Sequence, residues 1–194
     1  MDTNHVLLII YWIGFGIVHS VLAANIVKQP ILRSMKNYAK FYRLMYAVIA
    51  FVSLVFIVWF QLSIRSTLLF SPLWLRLLIG LPLSIAGAII MIDCAKKYFL
   101  HLTGLDVFVK QEPVNVLQTT GLHKYTRHPL YLGTFMFIFG LFFCFPYTSN
   151  LIAVVIIVVY TIIGAWFEEK KLAKEFGEEY INYQQKVPMI IKLW

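Results

Sequence analysis

The chain has 194 residues, 60% of them hydrophobic and 13% charged, with a formal net charge of +8 and a mean hydropathy of +0.77. A soluble domain carries about 25% charged residues, and a core this small cannot hide so much apolar surface, which excludes an ordinary water-soluble globule and makes a bilayer the solvent. The basic residues lie in short polar stretches between apolar runs, so the positive charge reads as membrane topology and not as a nucleic-acid surface.

Five apolar segments are expected. Val6–Val27, Leu44–Ile64 and Leu73–Ile92 are each about 20 residues long, enough at ~1.5 Å per residue to cross a ~30 Å hydrocarbon layer. The first lacks a basic leading region, which predicts a retained helix rather than a cleaved signal. Leu130–Phe145 and Leu151–Phe167 are shorter, and the link PYTSN between them predicts a tight antiparallel hairpin. Lys and Arg concentrate in the loop from Lys28 to Arg43, the stretch from Asp93 to His128 and the tail after Phe167, with Arg65 and Arg76 on the other side. That asymmetry predicts an N-terminus outside and a C-terminus in the cytoplasm, with Arg76 reaching toward an interface. In the tail, Leu172, Phe176 and Tyr180 recur at helical spacing, which predicts an amphipathic surface helix followed by an irregular apolar strip.

The expected fold is all-α: a polytopic integral membrane protein of about five transmembrane helices, with a carboxy-terminal helical hairpin and a polar loop and tail on the cytoplasmic face. It is read as one domain, 1–194, with three amino-terminal helices in 1–92 and the loop, hairpin and tail in 93–194. Cys94 and Cys144 fall near opposite membrane faces, too far apart for the ~5.5 Å Cα separation of a disulfide. His19 and Ser20 lie inside the first helix, where a functional role and a helix-to-helix hydrogen bond both fit. His101, Thr103 and Asp106 fit either an acceptor path or plain loop polarity. His5, His101, His123 and His128 lack the spacing of a metal site, and no metal is expected.

Chemistry concentrates in GLHKYTRHPLYLG, residues 121–133. Proline is favoured at the first position of a helix, where its missing N–H would be unpaired anyway, so Pro129 marks the start of the fourth helix. The free amides and positive dipole end there suit an anionic ligand group. Arg127 and His128 add donors at the same place, and Tyr131 follows one turn on. Gly133 and Gly140, seven apart, permit close helix approach. Glu168 and Glu169 stand where the fifth helix leaves the bilayer, and a hairpin brings them to the Arg-His-Pro cluster. Two readings stay open on spacing alone: headgroup anchors with an interfacial charge run, or two halves of one polar site.

The pattern Arg-His-Pro-x-Tyr-x-Gly, followed by a Glu-Glu pair after the next hydrophobic segment, resembles the integral-membrane methyltransferase superfamily of isoprenylcysteine carboxyl methyltransferases and phospholipid methyltransferases. The tail FGEEYINYQQKVPMI, with HS in the first helix and FYRLMY before the second, is more similar to the nurim-like branch that includes methanethiol S-methyltransferases. One position departs from the pattern: an aromatic residue often stands two places after the glycine, where this chain has His123.

The resemblance implies S-adenosyl-L-methionine as methyl donor, bound on the cytoplasmic side. It implies Arg127 and Glu169 as catalytic groups, and Gly121, Leu122, His123, Tyr125, His128, Pro129, Tyr131 and Glu168 as cofactor-binding residues. It implies an acceptor that is small or lipophilic, a thiol before a prenylcysteine-type carboxylate, and a lipid bilayer as surroundings, with no nucleic acid and no obligate protein partner. The alternatives are a sterol-type membrane reductase using a reduced nicotinamide phosphate, for which the chain has few phosphate-binding basic residues, and a non-catalytic membrane scaffold of the same fold.

Overall fold

The protein was analysed as a computed structural model that describes residues 2–35, 41–103 and 116–191. In chain order the helices are α1 (Thr3–Ala23), α2 (Asn25–Met35), α3 (Tyr42–Ser63), α4 (Leu73–Thr103), α5 (Pro129–Cys144), α6 (Thr148–Phe176) and α7 (Glu178–Lys186), with a 3-10 turn at Gly121–Lys124. Outside the helices, an isolated bridge between Leu68 and Tyr147 is found. Thr3–Ala23, Tyr42–Ser63, Arg76–Lys96 and Thr148–Phe176 are long and apolar enough to cross a membrane, and α5 is a shorter apolar helix of 16 residues. The protein is thus a polytopic all-α membrane protein. Its apolar side chains face outward around the helices, as with Ile17, Phe51, Trp59 and Ile89, which is stable only in lipid.

Three boundaries differ from the sequence expectation, each for a local reason. The first apolar run breaks at Ala24, whose extended backbone ends α1, and α2 follows as a separate amphipathic helix despite Pro30 in its interior. The third run continues to Thr103, so the polar stretch that begins at Asp93 starts as helix. The fifth continues through both glutamates to Phe176. There Gly177, at φ +56°, turns the chain into α7; a residue with a side chain is strained in that conformation. The side chains of His101 and Thr103, and Asp106 altogether, lie outside the described residues.

The chain divides into two compact units, 1–67 with 98–112 and 148–156, and 68–97 with 113–147 and 157–194. In the first, α1 packs on α3 through Tyr11, edge-on to Phe56 and Phe60. Trp12 donates its indole N–H to Gln61, which donates in turn to Asn150. His19 hydrogen-bonds the Tyr46 hydroxyl across the same pair of helices, the helix-to-helix alternative of the two considered.

In the second unit, α4 and α5 meet backbone to backbone. Gly80 and Gly87 of α4, also seven apart, face Gly140 and Gly133 of α5. A Cβ on Gly140 would strike Ser84 and stand 2.8 Å from the Gly80 carbonyl, and one on Gly87 would strike the Phe137 amide. Arg76 does not simply reach toward an interface: its Nη2 and Nε donate to the Cys144 carbonyl at 2.6 and 3.1 Å, satisfying an end of α5 that would otherwise be unpaired. Cys94 and Cys144 are both buried, and no disulfide joins them. Gly140→Ala should destabilise the detergent-solubilised protein by about 1–3 kcal/mol through overpacking, read as a lowered thermal midpoint. Gly164→Ala, which meets nothing within 4 Å, should leave that midpoint unchanged or slightly raised.

Candidate functional site

The site begins with local geometry. Gly121, at φ +64°, lets the chain enter the 3-10 turn. Pro129 sits at the first position of α5, and His128 just before it accepts the Leu132 amide. Between turn and helix, residues 126–128 run alongside residues 187–189 of the tail. Arg127 and His128 donate their backbone amides to the carbonyls of Pro188 and Met189, and the buried Thr126 hydroxyl donates to Met189 as well. The irregular apolar strip after α7 is therefore a strap along the Arg-His-Pro segment.

The two glutamates stand in different surroundings. Glu169 is 7% exposed. Its Oε1 accepts from Arg127 Nε at 2.9 Å, Tyr180 Oη at 2.8 Å and His128 Nε2 at 2.8 Å; its Oε2 accepts from Arg127 Nη2 at 2.7 Å and Gln184 Nε2 at 2.6 Å. The side chain of Glu168 is 44% exposed. Its Oε2 accepts from Tyr131 Oη at 2.9 Å and lies 3.6 Å from His128 Nδ1. The imidazole thus lies between the two carboxylates, hydrogen-bonded to Glu169 and stacked on the Tyr131 ring at 5.2 Å and 12°.

The apolar run of α6 ends at Phe167, so both glutamates lie beyond the membrane-spanning stretch. Burial by itself raises the Glu169 carboxyl. The hydrogen bonds from Arg127, Gln184, Tyr180 and His128 outweigh it and hold the group at about 2, below the ordinary 4.5. Burial, then the bond to Glu169, pushes the Tyr180 phenol well above its usual range, so it remains a donor. Arg127 also donates Nη1 to the carbonyls of Gln184 and Val187. A guanidinium at those carbonyls, the C-terminal end of α7, is favoured by hydrogen bonding and helix dipole together.

Of the residues singled out in the sequence, Arg127, His128, Tyr131, Glu168 and Glu169 come together here, with Pro129 buried at the helix start. The 3-10 turn joins through its backbone: the His123 carbonyl accepts the Tyr183 hydroxyl at 2.5 Å. Gly121 is exposed, Leu122 is half-buried, and Tyr125 is 76% exposed. Sequence reasoning missed Thr126, Tyr183 and Gln184, and took Tyr180 only as part of an apolar stripe. The spacing of Tyr180 and Tyr183 signals a buried helix face, but nothing local marks Gln184. No cluster of three or more His, Cys, Asp or Glu side chains suited to a metal occurs among the described residues.

The sequence signature of the phospholipid methyltransferase family matches residues 75–179. Methanethiol S-methyltransferase of Pseudomonas deceptionensis is 31% identical over 91% of this chain and 68% of its own length. Methanethiol S-methyltransferase 1 of Bradyrhizobium diazoefficiens is 28% identical over 91% of this chain and 63% of its own length. Protein-S-isoprenylcysteine O-methyltransferase of Rattus norvegicus is 30% identical over 55% of this chain and 40% of its own length. The chain thus spans about two thirds of the length of these methanethiol relatives and less of the prenylcysteine one. No solved structure matches it.

Glu169→Gln should cost about 3 kcal/mol, because it leaves the Arg127 guanidinium buried without its counter-charge. Glu168→Gln, on an exposed carboxylate, should stay within about 0.5 kcal/mol; thermal denaturation in detergent compares the two. Because the Glu169 pKa is depressed, its contribution is fully present above about 4.5 and is lost as the pH falls from there toward about 2. Glu169→Gln should therefore flatten the acid limb of stability against pH.

Proposed function

The chain belongs to the phospholipid methyltransferase family, and from that premise we propose that it transfers the methyl group of S-adenosylmethionine to a thiol, with a prenylcysteine-type carboxylate as the next acceptor. The observation that carries the reading is the division of labour between adjacent glutamates. Glu169 is occupied by Arg127, His128, Tyr180 and Gln184 and has no face left for a ligand. Glu168 holds an accessible carboxylate beside the stacked pair of His128 and Tyr131. An accessible negative charge held in place by the Tyr131 hydroxyl suits a donor whose sulfur and amino group are both cationic.

In this reading the residues that hold the donor are Glu168, Tyr131 and His128, with Pro129 setting the helix start and Gly121, Leu122, His123 and Tyr125 forming the adjoining turn. Arg127 and Glu169, candidates for catalysis in the sequence, become positioning groups, since each is committed to the other in a buried pair. When bound, S-adenosylmethionine supplies a methyl group on a positively charged sulfur. The protein's task is then to align the acceptor with that methyl group and limit water, where positioning contributes several kcal/mol. An acceptor that attacks as an anion neutralises the donor's charge, and that attraction is stronger in a drier site.

The preference for a thiol rests on the methanethiol relatives, which match most of the chain, whereas the prenylcysteine relative matches about half. The excess of Lys and Arg in the loop before α3, in residues 93–128 and after α6 supports a cytoplasmic C-terminus and an N-terminus outside. Lys170 over the Trp166 ring, at the end of the apolar run, fits an interfacial anchor at that level.

S-adenosylmethionine and its demethylated product should each raise the thermal midpoint of the solubilised protein, by the equivalent of about 2.7 kcal/mol at a hundredfold excess over Kd. A reduced nicotinamide should have no effect. Labelled methyl transfer should be found with thiols ahead of prenylcysteines, and with lipid amines least. Absence of stabilisation by either sulfur compound overturns the reading, and transfer to lipid amines alone overturns the acceptor class. Glu168→Gln should weaken donor binding about tenfold, the scale of one hydrogen bond to a charged group, with the thermal midpoint unchanged; calorimetric titration measures it.

A further inference from the structure

We propose that α7 and its strap are the positioning element of this site, and that Tyr180 and Gln184 act as positioning residues that fix the His128 imidazole by way of Glu169. The inference rests on the methyltransferase reading for its catalytic consequence. It goes beyond the family signature, which ends at residue 179.

The argument starts from how a carboxylate is held. Arg127 and His128 are neighbours in sequence and approach Glu169 as one dipeptide; the Arg127 fork reaches both oxygens, but it ties the carboxylate to that segment alone. Tyr180 and Gln184 come from a different helix. Tyr180 donates to Oε1, the oxygen that also receives His128 Nε2, and Gln184 donates to Oε2. With a further donor from α7 on each oxygen, the carboxylate is fixed against a second element as well. The imidazole is then held at Nε2 by that oxygen and on one face by Tyr131, with Nδ1 3.6 Å from Glu168. A rotation of Glu169 moves the Nδ1 edge relative to Glu168, the exposed carboxylate.

α7 is itself held by the residues it serves. Arg127 Nη1 satisfies the carbonyls of Gln184 and Val187. Tyr183 reaches the His123 carbonyl, which ties the same helix to the 3-10 turn. Tyr180, Tyr183 and Val187 form a buried cluster with Leu117, Leu172, Ala173 and Phe176 against it. A nine-residue helix has little stability of its own, so this docking and the bonds to Glu169 form together.

The test uses the full chain in detergent with Tyr180→Phe, which keeps the ring and removes the hydroxyl, Gln184→Ala, and Gln184→Lys, which restores a donor. In methyl transfer to a small thiol, Tyr180→Phe and Gln184→Ala should each lower kcat on the order of tenfold, the scale expected when a supporting contact is loosened. The KM for S-adenosylmethionine should change less than kcat, and Gln184→Lys should recover most of the loss. Nitrogen NMR of ring-labelled histidine should show displaced His128 signals in Tyr180→Phe and Gln184→Ala and a near-native signal in Gln184→Lys. Wild-type kcat in both loss variants, or a loss that follows the folded fraction without recovery by lysine, overturns the inference. So does an unchanged His128 signal, which is readable even if the wild-type protein transfers no methyl group. A wild-type protein that transfers no methyl group would sink the methyltransferase reading while leaving the coupling to be judged on the spectra.

Discussion

A single buried carboxylate organises the polar end of this protein. Taking Glu169 out of water costs several kcal/mol unless its lone pairs are matched, and they are matched by four side chains from two separate stretches of chain. None of those donors is optional in the usual sense of a surface ion pair. If α7 undocks, the carboxylate loses a donor from each oxygen and Arg127 loses the two carbonyls that receive Nη1. The Arg-His-Pro segment, the end of α6 and the carboxy-terminal helix therefore form one cooperative structure.

The two glutamates at the end of α6 show how one helix step divides chemistry. Adjacent residues on a helix point about 100° apart, so only one of them can face the packed side. Glu169 does, and it is saturated; Glu168 faces outward, held by Tyr131 and close to His128. A charge that is anchored yet accessible is what a cationic ligand requires. A charge that is buried and fully bonded contributes rigidity instead. His128 lies between them and joins the structural half of the site to the half that meets solvent.

The apolar part of the second unit follows a different rule. Lipid gives no hydrophobic reward for bringing helices together, so association depends on close packing and internal hydrogen bonds. Gly80 and Gly87 facing Gly140 and Gly133 remove the side chains that would hold α4 and α5 apart. Arg76 satisfies the end of α5, the shortest of the apolar helices. A 16-residue helix rises only ~24 Å, less than a typical hydrocarbon layer, and it carries polar residues at its Arg-His-Pro end.

Much of this was legible in the sequence because the signals are local or periodic. Runs of apolar residues longer than any soluble core needs gave five apolar helices in the right order. Pro129 placed the start of α5 to the residue, since proline acts through its own missing amide. The short hairpin link offered the meeting of Arg127 and His128 with the glutamate pair as one of two readings, and the structure brings them together. Helix ends were less legible, because polar residues such as Asp93 and Glu168 continue a helix as readily as they leave one, and α2 forms around a proline that local rules disfavour. What only the tertiary structure decided is the identity of the contacts: that Glu169 and not Glu168 is buried, that Arg76 closes α5, that the glycines of α5 face α4, and that Gln184 completes the site. Those depend on which faces meet in space, and a side chain such as Gln184 acquires its role only from the carboxylate it meets, fifteen residues away in the chain.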